Sequence, residues 1–274
     1  MAEVLLITGA SSGIGRACAD RMHQRGWSVY GASRTAGTFG TGRDGDPTGW
    51  QPVAMDVDDD RSVAEGVARV VDESGRLDAV VACAGWGLAG AVEQTSLRDA
   101  RDQFETNFWG AVRLVQHSLP TLRTQGGGRI VLISSIGGVL GIPFQAFYSA
   151  SKFALEGFGE ALAYEVAPFG IEVTLVEPGN VTTGFTAARR DAEPGPGEDP
   201  YAGAVARAVG KMADDEAAGV PPGQVADTVQ QVLESRRPPR RVSVGKLDER
   251  VGIIGKRLLP YRLFERAAKG SLGV

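Results

Sequence analysis

The sequence predicts a single α/β domain: a doubly wound parallel sheet with helices on both faces. Three observations predict it. Short, β-branched apolar runs alternate with longer stretches of helical period along the 274 residues. The short runs are apolar almost throughout, as in strands covered on both sides, and lack the strict alternation of a half-exposed sheet. The first of them ends in a glycine-rich turn that opens a helix, "ITGASSGIGRA", from Ile7 to Ala17.

Taken in order, strands are expected at "EVLLITG", "WSVYGAS", "QPVAMDV", "LDAVVACAG", "GRIVLISS" and "IEVTLVEPG". Helices are expected over Gly15–Arg25, Arg61–Ser74, Leu97–Arg123 and Phe147–Ala167. This alternation implies right-handed crossovers and hence a Rossmann-type sheet. Thr35–Gly49, rich in glycine, threonine and aspartate, reads as a loop after the second strand. Gly184–Gly223 holds "DAEPGPGEDP" and "GVPPG" around an alanine-rich helical piece. Too little chain follows for a second domain, so this stretch is expected to be a mobile lid over a substrate. Residues 224–274 complete the sheet and add a C-terminal helix, making residues 1–274 one domain.

The balance of charges excludes several partners. A formal charge of -4 does not suit neutralisation of nucleic-acid phosphates. The cluster Arg236, Arg237, Arg240 and Arg241 reads as a solvated rim before a last strand. Two cysteines, Cys18 and Cys83, give no disulfide framework, and with only His23 and His117 beside them no metal site is expected. No apolar run reaches the roughly 18 residues of a membrane span, and no signal peptide precedes the first strand. A cytoplasmic protein is expected.

Ligands of open parallel sheets bind beyond the carboxyl ends of the strands. A glycine turn there brings backbone N–H groups and a positive helix end against a pyrophosphate. Gly9, Gly13 and Gly15 are spaced G-x-x-x-G-x-G, and the turn lacks the Lys-Ser/Thr ending of a phosphate loop. The full string "TGASSGIG" resembles the short-chain dehydrogenase/reductase family in its classical branch, and the likeness extends over about Glu3 to Thr183.

That resemblance implies a nicotinamide cofactor, with Gly9, Ser11, Ser12, Gly13, Ile14 and Gly15 around its pyrophosphate. An acidic residue at the end of the second strand would select NAD; here "GASRT" places Ser33 and Arg34 there. A planar, permanently charged arginine fork suits a 2′-phosphate, so NADP(H) is expected, with Ser12 and Ser33 as further phosphate contacts. The resemblance puts Asp56 on the adenine amino group, Val57 along the ring, and Ala84 and Gly85 under the adenosine. "ACAG" departs from the family's usual "NNAG": Cys83 stands where an asparagine would tie the central strands, and reads as a packing residue. Beyond "EPGNVTT", Pro178, Gly179, Val181 and Thr183 are implied around the carboxamide, with Thr182 an open alternative to Thr183.

Tyr148 and Lys152, in "YSASKFALEGF", are four apart and share a helix face. A tyrosine hydroxyl has a reference pKa of about 10, and lowering it by two to three units takes roughly 3–4 kcal/mol. An ammonium about 4 Å away supplies on the order of 4 kcal/mol at an effective dielectric of about 20, enough to make the tyrosine an acid/base group. The resemblance assigns Ser135 to the substrate oxygen, with Ser134 as the competing residue of the pair, and Asn107 to a water beside Lys152. The expected reaction is hydride transfer between nicotinamide and a small-molecule carbonyl or secondary alcohol. Val139, Leu140, Ile142, Pro143, Phe144 and Gln145 are expected as one substrate wall, with Trp86 and Phe185 adding apolar surface, which suits a lipophilic or cyclic substrate. The segment around Tyr148 most resembles family members acting on steroids and retinoids. The alternative is a catalytically silent NADP-binding regulator or scaffold. The helix face with Phe153, Leu155, Phe158 and Leu162 is expected to pair with a copy of itself in a homodimer or homotetramer.

Overall fold

Strand β1 (Val4–Thr8) shows why the sheet is covered on both sides. Its residues alternate between two apolar layers, Val4 and Leu6 in one, Leu5 and Ile7 in the other. The computed structural model describes residues 2–35, 49–193, 199–260 and 262–263. Along the chain β1 leads to α1 (Gly13–Gln24), β2 (Ser28–Ser33), β3 (Gln51–Ala54), α2 (Asp60–Ser74) and β4 (Ala79–Ala82). After them come β5 (Leu88–Ala89), α3 (Leu97–Phe104), α4 (Gly110–Thr124), β6 (Gly128–Ile133), α5 (Ala146–Glu165) and β7 (Ile171–Pro178). The rest is α6 (Phe185–Ala188), β8 (Arg190–Asp191), α7 (Ala202–Ala217), α8 (Pro222–Glu234), β9 (Arg241–Val244) and α9 (Leu247–Leu258).

Seven strands pair in parallel in the order β3-β2-β1-β4-β6-β7-β9. The doubly wound single-domain sheet expected from the sequence is thus present. Val63 and Val67 of α2, Leu114 of α4 and Leu155 of α5 pack on one face, and Cys18 and Met22 of α1 with Val225 and Val229 of α8 on the other. Strand order reverses between β2-β1 and β4-β6, which opens a crevice at the carboxyl ends of β1 and β4. Cutting a fully buried side chain such as Leu6 to alanine at the centre of this sandwich costs about 2–5 kcal/mol.

Three departures bear on the site. The helix expected over Leu97–Arg123 is divided: a π-helical turn, Glu105–Trp109, separates α3 from α4. The stretch Gly184–Gly223 holds, besides the alanine-rich helix expected there (α7), the short α6 and β8 among its described residues; β8 pairs with β5, and Val181 bridges Val220. Of the four residues expected on a pairing face, Leu155 and Leu162 are buried in the core and Phe158 packs against it, leaving Phe153 exposed. The arginine cluster is partly tied down, since Arg241 bonds Glu156 and Glu160 at 2.9 and 2.6 Å and Arg240 bonds the Ala163 carbonyl at 3.1 Å. Most of the expected loop after β2, residues 36–48, lies outside the described residues, as do 194–198 of the expected lid.

Candidate active site

The crevice holds a cavity of about 1000 Å³ running from the glycine turn to the inner side of α7. Gly9, Ser11, Ser12, Gly13, Ile14, Gly15, Ser33, Arg34, Asp56, Val57, Ala84, Gly85, Pro178, Gly179, Val181 and Thr183, expected around a cofactor, line it. So do Trp86, Gln145 and Phe185 of the expected substrate surface and Ser135, Tyr148 and Lys152 of the reacting group. Asn107 lies just behind, 2% exposed. Leu140 and Ile142 of the expected apolar wall also line the cavity; Val139, Pro143 and Phe144 do not.

The phosphate end is built by backbone. Gly9 has φ 71°, and a Cβ there would stand 2.9 Å from Ala84 N and Cα, so only glycine lets β1 turn this close to β4. A Cβ on Gly15 would collide with the Gly9 carbonyl. Helix α1 starts with no side-chain cap from Ser12 and no acid in its first turn. Helix α2, by contrast, is capped by Asp59, which accepts from Arg61 N and Ser62 N at 2.9 and 3.3 Å. The open N–H groups of α1 therefore face the cavity, and an anion is what such an end binds. Arg34 is exposed at the rim, with Ser33 beside it and Asp58 close enough to interact with its charge. These features fit a dinucleotide.

The inner end of the cavity is buried, with Tyr148 8% and Lys152 6% exposed. Burial pushes the Tyr148 phenol up to about 12, opposed by the Ser135 hydroxyl; Glu216 raises it further and Arg189 opposes. Burial pushes the Lys152 ammonium down to about 8. Its Nζ donates to the Ile133 carbonyl at 2.9 Å. In the chain without cofactor the balance on the phenol is set by burial and Glu216 against Ser135 and Arg189, and its direction is upward. Ser135 Oγ accepts from Gly137 N at 3.0 Å, which fixes the hydroxyl at the end of β6 beside Tyr148.

Asn107 is a clamp. Its Oδ1 accepts from Trp86 N at 3.0 Å, and its Nδ2 donates to Trp86 O at 3.0 Å and to Ser151 Oγ at 3.3 Å. Sequence reasoning missed Gln103, fully buried one helical turn earlier, whose Nε2 donates to the same Trp86 carbonyl at 2.7 Å. A glutamine and an asparagine four apart on an otherwise apolar face were the available signal. It also missed Thr8: its hydroxyl accepts from Cys83 N and Ala84 N at 3.1 and 3.3 Å, tying β1 to the end of β4 where Cys83 offers no amide. The Cys83 thiol is pushed up to about 12 by burial, as befits a packing residue. Thr183 faces the cavity, whereas the Thr182 hydroxyl turns away and donates to Gly219 O at 3.0 Å.

The outer wall carries a pair the sequence did not announce. Arg189, 3% exposed, bonds Glu216, 13% exposed, and Thr186 donates to the same carboxylate. Thus the segment after α6 is fastened to α7. Phe185 lies between Gly87 and Tyr148, and Gln145, 4% exposed, presents a buried Nε2 without a partner beside them.

A glycine cradle at the switch point of a parallel sheet, with a tyrosine, lysine and serine at its inner end, defines the dinucleotide-dependent α/β oxidoreductases. A family model described as short chain dehydrogenase matches residues 3–194, and the chain belongs to that family. It is 39% identical over 269 residues to 3-ketodihydrosphingosine reductase of Bacteroides thetaiotaomicron, covering 97% of each chain. It is 37% identical over 253 residues to retinol dehydrogenase 8 of Bos taurus, covering 87% of this chain and 80% of that one. Among solved structures, a short-chain dehydrogenase from Streptomyces avermitilis superposes with a TM-score of 0.82 at 34% identity, covering 99% of this chain and 98% of that one.

Proposed function

We propose that the chain is an NADP(H)-dependent oxidoreductase that transfers hydride between the nicotinamide and a carbonyl or secondary alcohol of a lipophilic or cyclic substrate. The observation that carries the reading is the convergence of Ser135, Tyr148 and Lys152 on the cavity that begins at the glycine turn. The cofactor supplies the hydride when bound, and in its oxidised form a positive charge. Arg34 and Ser33 hold the 2′-phosphate, the α1 N-terminus the pyrophosphate, Asp56 and Val57 the adenine, and the main chain near Val181 with Thr183 the carboxamide.

In reduction, Ser135 and Tyr148 donate hydrogen bonds to the substrate oxygen. Tyr148 then gives its proton to the oxygen as it becomes an alkoxide. A phenol held near 12 is a poor acid toward water but well matched to an alkoxide, which is more basic still. Lys152 remains mostly protonated at neutral pH and holds the ribose beside the phenol. Asn107 Oδ1 and Lys152 Nζ both border Gly85, at 3.1 and 3.8 Å from where a Cβ would stand. There Asn107 Oδ1 would accept from the water that returns the proton. Oxidation runs the same path backwards.

Trp86, Leu140, Ile142 and Phe185 give the substrate end apolar surface. The relatives named for 3-ketodihydrosphingosine and retinol support a lipophilic carbonyl or alcohol. Gly184–Gly223 acts as the lid. Among the described residues no helix is long and apolar enough to cross a membrane. We place the protein in the cytoplasm as a homodimer or homotetramer. The test is an NADPH-coupled screen of ketones, aldehydes and alcohols, repeated with Tyr148→Phe. Turnover with some lipophilic carbonyl, lost by more than about a thousandfold in the variant while NADPH still binds, supports the reading. Undiminished turnover in Tyr148→Phe overturns the mechanism, and NADPH binding without turnover on any carbonyl supports the silent scaffold instead.

A further inference from the structure

Helix α9 is apolar on two sides. One side faces the protein: Ile253 is 4% exposed, Gly252 lines the cavity beside Leu140, and Lys256 Nζ donates to the Val139 carbonyl. The other carries Leu247, Val251 and Leu258, which are 76%, 55% and 77% exposed. At about 100° per residue these three fall within roughly 40° of one another, so they form one outward stripe. Leu259 and Leu263, which follow the helix, are also exposed.

The charges beside this stripe are cationic. Lys246, Arg250 and Arg262 are exposed. Of the two acids in the helix, Glu249 is turned inward onto Asn180, accepting from its N and Nδ2 at 3.1 and 2.6 Å, which leaves Asp248. In sequence, residues 250–269 hold six Arg or Lys against one Glu, in a chain whose net charge is -4. Exposed leucines flanked by cations on a helix fit an anionic lipid surface, where apolar burial and headgroup attraction add. A two-fold contact of this face with the same face of a second copy would set these cations near their like.

We propose that the outward face of α9, with the exposed Leu259 and Leu263 after it, docks on an anionic bilayer, with the substrate cavity beside it. The helix that would touch lipid is itself part of the wall next to Leu140, so a lipophilic substrate would pass from bilayer to cavity along α9. That delivery role rests on the lipophilic-carbonyl reading given above; the docking itself does not.

The experiment is co-sedimentation of the full chain with vesicles of phosphatidylglycerol and phosphatidylcholine, against vesicles of phosphatidylcholine alone, at low and high salt. The expected result is binding to the anionic vesicles that weakens at least tenfold in high salt, and at least tenfold in Leu258→Glu/Leu259→Glu. Those positions are exposed, and NADPH binding by the variant confirms that it is folded. The single change Arg250→Glu is expected to weaken binding several-fold without touching the leucines. No binding to anionic vesicles, or equal binding by all variants, overturns the proposal. So does a smaller oligomer in Leu258→Glu/Leu259→Glu with vesicle binding unchanged, which would make the stripe a contact between copies. No substrate is present, so a failure here leaves the reductase reading standing, and vesicle binding by a chain without turnover would refute only that reading.

Discussion

The ring of Phe185 meets the ring of Tyr148 edge-on, with centroids 5.8 Å apart and planes at 64°. The first residue of the short helix α6 thereby touches the proposed proton donor. A ring pair of this kind contributes on the order of 1 kcal/mol beyond its area. Phe185→Ala is expected to lower kcat/KM for a lipophilic substrate about tenfold or more, while the NADPH dissociation constant changes less than about twofold. Steady-state kinetics and a fluorescence titration check it.

Lys152 gives the folded protein a pH signature. Its ammonium is lowered to about 8 in the fold and titrates near 10.4 in the unfolded chain. The unfolded chain binds more protons between those values, so stability rises with pH across that window and falls back as pH drops through about 8. The contribution is about 3 kcal/mol at full extent. Denaturant unfolding at about pH 7 and pH 9.5 is expected to show a gain for the wild type that Lys152→Met lacks. An equal response in the two proteins would contradict the buried, depressed ammonium.

Arg34 is the test of cofactor choice. Arg34→Ala removes the one arginine at the end of β2, and is expected to weaken NADPH binding by about ten- to a hundredfold, the worth of a charge-assisted pair. NADH binding should change less than about twofold, as measured by calorimetry with both cofactors.

Removing one member of the Arg189–Glu216 pair leaves a buried charge without its partner, a loss of roughly 3–5 kcal/mol. Glu216→Gln should therefore lower stability and raise KM, because α7 is released from the segment after α6. Arg189→Met/Glu216→Met should recover much of the stability but not the KM. A double-mutant cycle on both quantities separates the two effects.

The sheet was legible because its strands are apolar on both faces, and the glycine turn because its spacing has few other uses. Tyr148, Lys152 and Ser135 could be read for the same reason: each lies at a strand end or helix face that the alternation already placed. What stayed hidden depends on contacts between distant segments. Gln103 and Thr8 look like ordinary polar residues until Trp86 and Cys83 are brought beside them. Arg189 and Glu216 are 27 residues apart in a stretch whose composition reads as lid. The i to i+4 spacing of Tyr148 and Lys152 gives proximity, whereas the cost of burying the phenol depends on surroundings that only the fold supplies. The outward stripe of α9 is regular in period, but only exposure distinguishes it from a core face.

The π turn at Glu105–Trp109 has a consequence for how this chain tolerates change. A π turn adds one residue to a helix, and one residue is worth about 100° of rotation. Gln103 just before it and Asn107 within it meet Trp86, while Leu114 and Leu122 after it meet the core, so the offset sets the phase between the two groups. Deleting any single residue of the turn would yield a more regular helix that cannot serve both ends at once. Here irregularity is the gearing between the clamp on Trp86 and the core beneath the sheet.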